Sequence, residues 1–255
     1  VGVLAGRSGG LATVKASSAS GSVTGKYDVG GLIGEADNIV KNSSASAEVT
    51  VVSGGNHAGG LVGQHYGIMR RSYATGPVGE EGLAVDEVGG LVGATENNAD
   101  IWNSYASGKV GGDFRIGGLV GWHDGWHVNS TYAVGTVSGD SGTGGLLGAS
   151  QTTASDSYWD VETTNQTYDP DGGAVGLTTA EMTGSAAPGN MTGLDFHTTW
   201  RTQSGDYPIL SWQVNPNPNF QVSFDRFDGI VTEGETVTIP VIVTNTNRVE
   251  GTQDI

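Results

Sequence analysis

A glycine–leucine pentapeptide recurs through the first 150 residues of this 255-residue chain. Its pattern is Gly-Gly-Leu-aliphatic-Gly, complete at five places and altered at one, and its third residue is always leucine: Leu4, Leu32, Leu61, Leu91, Leu119 and Leu146. Successive leucines lie 27 to 30 residues apart. A period of that size is typical of repeat proteins, in which one supersecondary unit stacks on the next.

A second block follows the pentapeptide in each of the first five units. It reads Ser/Thr-Tyr/Ser-Ala with a valine four residues after the alanine, as at 104–106 with Val110. Neither block has apolar residues at helical spacing, and both alternate with a period of two. Glycine this frequent would cost a helix about 1 kcal/mol per position. Both blocks are therefore predicted to be strands, joined by loops of variable length.

The six leucines are predicted to form one structural ladder along a common axis. In an extended strand Gly30, Leu32 and Gly34 would share one face, which suits a thin core between closely approaching sheets. Stacking also places the alanines and the valines in ladders of their own. The expected fold class is all-β, a β-helix-like β-solenoid of about 28–30-residue repeats. The handedness, and a choice between two and three strands per turn, stay open.

The pattern divides the chain into four regions. Residues 1–150 carry the solenoid repeats. Residues 151–213 hold a degenerate sixth unit, with Trp159 in the alanine place, and an aromatic C-terminal cap expected to plug the solenoid end. Residues 214–219 form an Asn/Pro linker, and residues 220–255 alternate like the first strands of an incomplete immunoglobulin-like β-sandwich.

A short helix is predicted inside the cap. Thr178 followed by Glu181 fits a capping box, in which each side chain bonds the backbone N–H of the other residue. The helix is expected at about 178–183.

Charge and composition narrow the classes of function. The net charge of −16 opposes binding to nucleic acid and to anionic lipid. It fits an acidic extracellular protein or a salt-adapted one, and charge does not separate the two.

The chain has no cysteine and therefore no disulfide. The chain has no run of 18 apolar residues, so no membrane span is predicted in this segment. No signal peptide is evident, and Val1 falls inside a repeat, so the segment is expected to belong to a longer precursor or a mature form.

With both blocks set out, the chain resembles the GLUG-motif repeats of bacterial and archaeal surface proteins. Residues 89–93 with 103–108 are the clearest copy, and the resemblance covers about residues 1–213. Ser18 and Ser44 stand where that family prefers tyrosine, which predicts a less aromatic outer face in the first two units. The resemblance implies large extracellular proteins, including adhesins and some surface proteases in which the repeats are accessory.

Two clusters are candidate metal sites. His123 and His127, in the stretch 123–127, could bind a metal, although an ordinary aromatic loop is the favoured interpretation because no third ligand is near in the sequence. The stretch Asp169-Pro170-Asp171-Gly172 could begin a calcium loop, but it lacks the later ligands and is better explained as an acidic turn. No metal and no cofactor are expected.

Other residues suggest glycan chemistry. The adjacent Glu80 and Glu81 could serve glycoside hydrolysis, but adjacent side chains point apart, so solvated loop charges are favoured. Tryptophans in neighbouring repeats could form a sugar-stacking strip, although core or loop packing is favoured: Trp102, Trp122 and Trp126. Four Asn-x-Ser/Thr sequons are candidate N-glycosylation sites: Asn42, Asn129, Asn165 and Asn190.

The functional hypothesis is an extracellular, non-catalytic structural or adhesive protein of the cell surface. It would act as a rigid stalk or filament subunit, with other protein subunits, cell-surface components or glycans as partners, and a homo-polymer as one variant. The alternative is a carbohydrate-binding or carbohydrate-active β-helix protein. Catalytic residues of such an enzyme would recur on one outer face, and no aligned Asp, Lys or Arg is evident in the repeats.

Overall fold

The computed structural model describes residues 1–10, 12–170, 172–214, 220–224 and 241–245. Within them the chain divides into two units, residues 1–211 and 212–255. The first unit is an all-β solenoid of parallel strands.

Each complete turn of the solenoid contributes a strand to each of four parallel sheets, in place of the two or three strands considered from the sequence. Sheet 1 contains Ala5–Ser8, Ile33–Ala36, Val62–His65, Val92–Thr95, Val120–His123 and Leu147–Ser150. Sheet 2 contains Thr13–Lys15, Ile39–Lys41, Ile68–Arg70, Asp100–Trp102 and His127–Asn129. Sheet 3 contains Ser18–Ala19, Ser44–Ala45, Tyr73–Ala74, Tyr105–Ala106, Tyr132–Ala133, Tyr158–Asp160 and Val175–Leu177. Sheet 4 contains Ser22–Gly30, Glu48–Gly59, Val85–Gly89, Phe114–Gly117 and Ser141–Gly144, with Val110–Gly111 and Val137–Ser138 paired beside it.

The pentapeptide is a corner and not the single extended strand predicted for residues 30–34. Its first glycine ends a strand of sheet 4, the second glycine and the leucine form a bend, and the aliphatic residue begins a strand of sheet 1. The corner requires glycine because the backbones approach closely. A Cβ on Gly90 would overlap the carbonyl oxygen of Gly118 in the next turn and lie 2.8 Å from the Ala106 Cβ.

Each turn encloses two apolar cores. The first is formed by the corner leucines, the aliphatic residues of sheets 1 and 2, and the alanines of sheet 3. The second is formed mainly by valines on and beside sheet 4, including Val49, Val78 and Val110. The valines of the second sequence block therefore do not share a core with the leucines. Since a turn buries little apolar surface alone, stacking supplies most of its stability.

The segment after residue 160 is irregular. It contains the helices Thr179–Met182 and Ala187–Asn190, the 3₁₀ turns Gly184–Ala186 and Ser211–Gln213, and an antiparallel hairpin of Trp200–Gln203 and Asp206–Leu210. The helix predicted from the capping box is Thr179–Met182, and both of the reciprocal bonds between Thr178 and Glu181 are present. Among the described residues, no helix is long and apolar enough to cross a membrane.

In the second unit the structure describes the antiparallel pair Phe220–Phe224 and Val241–Asn245. The predicted linker falls largely on residues 215–219, outside the described residues. Most of the predicted immunoglobulin-like segment, residues 225–240 and 246–255, also lies outside them. The sandwich therefore stays a prediction.

Candidate functional site

The corner leucines are joined by a continuous backbone ladder parallel to the solenoid axis. Each leucine N–H donates to the leucine carbonyl of the next turn, at 2.8–2.9 Å, from Leu4 through Leu119. The leucine side chains from Leu32 to Leu146 are fully buried, whereas Leu4 in the first turn is 57% exposed. Turn-to-turn contact at this corner is thus both apolar and hydrogen-bonded.

A carboxylate closes the ladder at its C-terminal end. Asp169 accepts hydrogen bonds from the N–H groups of Leu146 and Leu147 through one oxygen, at 2.8 Å each. These N–H groups would otherwise donate to the leucine carbonyl of a further turn. The Trp159 ring, in register with Ala133, lies against Gly145 and covers the first core. Asp169, considered as a calcium ligand from the sequence, instead ends the backbone ladder; Asp171 lies outside the described residues.

A column of stacked tyrosines lies on the outer face of sheet 3. Tyr73 and Tyr105 have ring centroids 5.0 Å apart and nearly parallel planes, and Tyr105 and Tyr132 repeat the arrangement at 4.9 Å. Tyr158 continues the column by pairing with Tyr132. The first two turns have Ser18 and Ser44 at this position, so the column extends over only part of the solenoid.

The C-terminal segment packs on this tyrosine column. Trp200 lies against Tyr105 and Tyr132, and the Tyr132 hydroxyl donates to the carbonyl of Pro208 at 2.5 Å. Burial raises the pKa of Tyr132 well above its usual value. Trp200 and Tyr207 therefore cover the side of the solenoid, whereas Trp159, with Val161 and Ala174, packs against the first core at the end that the cap was expected to plug.

Buried Asp160 holds the C-terminal segment in place. One of its oxygens accepts from the hydroxyls of Thr179 and Tyr207, at 2.6 and 2.5 Å. The other accepts from the N–H groups of Glu162 and Thr163, at 2.8 and 3.1 Å. Burial, followed by the hydrogen bond to Asp160, raises the pKa of Tyr207 to about 12. A single carboxylate thus joins the sheet 3 strand Tyr158–Asp160, the helix Thr179–Met182 and the hairpin.

Four consecutive turns place a charged residue at the equivalent position of sheet 4: Asp28, His57, Glu87 and Arg115. We call this set the charged column. All four have a left-handed backbone, with φ between 49° and 59°, which is costly for residues other than glycine. The side chains alternate in charge when His57 is protonated, and each contacts the next. The distances are 2.7 Å from Asp28 to His57, 2.7 Å from His57 to Glu87 and 2.5 Å from Glu87 to Arg115.

The charged column perturbs two titrating groups in opposite directions. Burial alone would lower the pKa of His57, but its hydrogen bonds to Glu87 and Asp28 outweigh burial and raise it. Burial alone would raise the pKa of Glu87, but His57 and Arg115 outweigh burial and lower it. Both shifts favour the charged forms. Arg115 also lies over the Trp122 ring, 4.3 Å from its centroid.

The structure separates the two histidines of the predicted metal cluster. His123 ends a strand of sheet 1, is fully buried and contacts the Thr95 hydroxyl through Nδ1 at 2.6 Å. His127 begins a strand of sheet 2, is exposed and pairs with Asp100 at 2.8 Å. No group of three or more metal-ligating side chains occurs among the residues the structure describes.

The other predicted residues are dispersed. Trp122 lies in sheet 1 against Arg115, Trp102 lies in sheet 2 against His127, and Trp126 is exposed in the loop between those sheets. A strip along the axis would require equivalent positions in successive turns, which these three do not hold. The adjacent pair Glu80 and Glu81 is exposed, outside the named strands.

The sequons differ in exposure. Asn165 and Asn190 are exposed, whereas Asn42 and Asn129 are half-buried at the ends of sheet 2 strands. The Asn129 amide donates to Ser155 at 2.7 Å and to Asp156 at 3.3 Å. Attachment of a glycan at any of them stays a prediction.

The charged column and the roles of Asp160 and Asp169 were missed from the sequence. The column carries four different residue types, so no motif marks it. Its signal is spacing: its members lie 28 to 30 residues apart, which matches the leucine period. Aligning the repeats on their glycines would have brought the four positions together.

A family model described as the GLUG motif matches residues 25–52 and 87–111. The chain contains GLUG motifs. Each match begins in a strand of sheet 4 and continues through one strand each of sheets 1, 2 and 3. The first match ends in the next strand of sheet 4, Glu48–Gly59, and the second ends with Val110–Gly111 beside that sheet. One GLUG motif is therefore one turn of the solenoid.

Two known proteins are similar to the GLUG-containing chain. Halomucin from Haloquadratum walsbyi is 38% identical over 144 residues, which are 55% of this chain and 1% of halomucin. The chain therefore spans a very small part of that relative. A crystal structure of a candidate immunoglobulin A1 protease from Bacteroides ovatus aligns with a TM-score of 0.47 at 20% identity, covering 83% of this chain and 63% of that one. The GLUG and halomucin matches indicate a cell-surface or extracellular protein.

Proposed function

We propose that this chain is a non-catalytic scaffold segment of an extracellular surface protein, in which stacked GLUG turns provide a rigid spacer. The observation that carries the proposal is the leucine corner, where one backbone hydrogen bond and one buried leucine recur in turn after turn. A parallel ladder of this kind resists bending because every inner turn contacts both neighbouring turns along all four sheets. The halomucin and GLUG similarities support the extracellular setting.

Association with further solenoid turns is part of the proposal. Successive turns pair strand to strand in register along all four sheets. An exposed strand of this kind accepts another parallel strand with the same spacing as inside the solenoid. Other protein subunits are therefore the partners that we propose, with a homo-polymer as one variant.

Surface display and catalysis are tested separately. Antibodies raised against residues 1–211 should label intact cells of the source organism, and labelling only after lysis would contradict the extracellular role.

Purified chain should release no sugars from polysaccharides and no peptides from casein. Activity that survives repurification would overturn the non-catalytic role, and release of sugars would favour the carbohydrate-active alternative.

Rigidity is tested on residues 1–211. Small-angle scattering should give one compact rod with the dimensions of the solenoid at all salt concentrations. Replacement of Leu91 by Ala should loosen it, because a buried leucine deletion costs about 2–5 kcal/mol. Val52→Ala, at an exposed position, is the matched control. A flexible wild-type profile would contradict the spacer role.

A further inference from the structure

The outer face of sheet 2 carries a row of cations, one in each of the first three turns. Contrary to the sequence analysis, in which no aligned Lys or Arg was evident, Lys15 is in register with Lys41, and Lys41 is in register with Arg70. We call these three residues the basic column. Lys15 and Arg70 are exposed and Lys41 is half-buried. Since neighbouring strands are about 4.8 Å apart, three positive charges lie within about 10 Å.

The basic column is not neutralised by the protein. Among the described residues, no carboxylate lies within ion-pair distance of Lys15, Lys41 or Arg70. Asp100 belongs to the next strand of the same sheet, but it pairs with His127. The chain has only 11 Lys and Arg against 27 Asp and Glu, so three adjacent cations without an acidic partner are unusual for this composition.

The charged column on sheet 4 shows the contrast. There, successive turns place opposite charges next to each other, and each charge is satisfied within the protein. On sheet 2, like charges face each other directly, which destabilises a pair of strands. An arrangement that costs stability and leaves cations accessible is better explained by a bound anion than by folding.

The same row continues with an aromatic group suited to sugars. Arg70 is in register with Trp102, and Trp102 is in register with Asn129. The Trp102 indole offers an apolar surface to a sugar ring, whereas the Asn129 amide is already bonded to Ser155 and Asp156. A polyphosphate has no ring face for the indole to contact, so Trp102 favours a sugar chain, although the overall charge of −16 repels either polyanion beyond the three cations.

We propose that the basic column, extended by Trp102, binds a linear acidic polysaccharide that runs along the solenoid axis. Its carboxylate or sulfate groups would contact Lys15, Lys41 and Arg70 in successive turns. This interaction would give a surface spacer a way to hold an anionic extracellular matrix, and it does not depend on the spacer being rigid.

The test uses the whole chain produced without N-glycans, with polygalacturonate as the acidic probe and dextran as the neutral one. Titration calorimetry at low salt should show binding to polygalacturonate alone. Binding should vanish at about 1 M NaCl, where the Debye length is about 3 Å. The triple variant Lys15→Gln, Lys41→Gln, Arg70→Gln should raise the Kd roughly tenfold or more, since three charge contacts are lost.

Two further variants separate the site from net charge and from misfolding. The matched control Lys26→Gln, Lys109→Gln, Arg201→Gln removes three exposed cations elsewhere and should keep the wild-type Kd. Lys15→Arg, Lys41→Arg, Arg70→Lys keeps the charges and should also bind. Absence of wild-type binding, an equal loss in both Gln triples, or equally tight binding of polydeoxythymidine would overturn the proposal.

Discussion

At the residue scale, the corner requires glycine because the backbones of neighbouring solenoid turns approach closely, and not because the corner needs a flexible backbone. In the first four complete pentapeptides, the second glycine faces the carbonyl of its counterpart one turn on, with the alanine of sheet 3 beside it; in the fifth, Gly145 faces the Trp159 ring. A methyl group has no space there, and backbone atoms cannot yield as a flexible side chain can. The glycine period is therefore a packing requirement that repeats with every turn.

Substitution Gly90→Ala tests this requirement. The new Cβ would overlap the Gly118 carbonyl, so we expect a loss of about 3 kcal/mol or more in the free energy of unfolding. Gly189→Ala is the matched control, because a Cβ there meets nothing within 4 Å. Urea unfolding followed by circular dichroism measures both. Equal stability of Gly90→Ala and wild type would contradict the close approach.

A second residue-scale prediction concerns buried His65. Burial lowers the pKa of His65 to about 4, although Nδ1 contacts the Ala36 carbonyl at 3.2 Å. The unfolded chain, with a histidine pKa near 6.5, binds the proton more readily, so stability falls as the pH drops below about 6.5. The His65 contribution should be about 2 kcal/mol smaller at pH 5 than at pH 7.

The measurement is the pH slope of stability, compared between wild type and His65→Gln. The variant should lack this acid-dependent loss even if its stability at pH 7 is lower. A slope in the variant identical to that of wild type would contradict the assignment of the acid sensitivity to His65.

At the element scale, the sequence revealed the stacking but not the shape of a turn. The leucine period predicts a solenoid because buried residues must align when turns stack. The number of strands per turn could not be predicted, because strands such as Tyr105–Ala106 have two residues and show no alternation. The corner at Leu91 was mistaken for a strand because its glycines mimic a period of two. Asp169 ends the backbone ladder by accepting a hydrogen bond from the Leu146 N–H, and no local sequence pattern predicts that contact.

The charged column predicts a specific pH dependence. The His57 pKa is raised in the folded state, so its contribution is complete below pH 6.5 and is lost as the pH rises through the folded pKa. The Glu87 pKa is lowered, so its contribution is complete above pH 4.5 and is lost as the pH falls. The column should stabilise sheet 4 most between about pH 4.5 and 6.5.

Substitution His57→Gln should remove the alkaline part of this dependence. Wild type should lose up to about 1 kcal/mol of His57-dependent stability between pH 6 and pH 9, as expected for a partly exposed ion pair. The variant should not. His197→Gln removes an exposed histidine outside the column and serves as the control. Thermal melts across the pH range measure the effect, and parallel curves for wild type and His57→Gln would refute it.

Closure of the ladder by Asp169 is tested by local exchange. In Asp169→Ala the N–H groups of Leu146 and Leu147 lose their acceptor, and their amide hydrogen exchange should speed up more than that of Leu91. Asp169→Asn keeps an oxygen acceptor and should exchange more slowly than Asp169→Ala. Equal exchange at Leu146 in wild type and Asp169→Ala would show that the carboxylate is not the closing group.

At the scale of the whole molecule, the net charge of −16 acts on every turn. The described ion pairs engage few of the 27 carboxylates, and exposed acids such as Glu80 and Glu81 face solvent. Mutual repulsion between carboxylates destabilises the compact state, and salt screens it. Salt also weakens the ion pairs of the charged column, but those are few and partly buried, so screening of repulsion should dominate.

We therefore expect the melting temperature to rise by several degrees when NaCl is raised from about 0.1 M to about 1 M, where the Debye length falls from about 10 Å to about 3 Å. The double variant Glu80→Gln, Glu81→Gln removes two adjacent repelling charges, so it should melt higher than wild type at low salt and gain less from added salt. Sucrose is the control for preferential exclusion, since it stabilises without screening and should raise both proteins equally. A melting temperature that falls with NaCl would mean that attractive pairs outweigh repulsion, and the acidic surface would then not favour a saline setting over a dilute one.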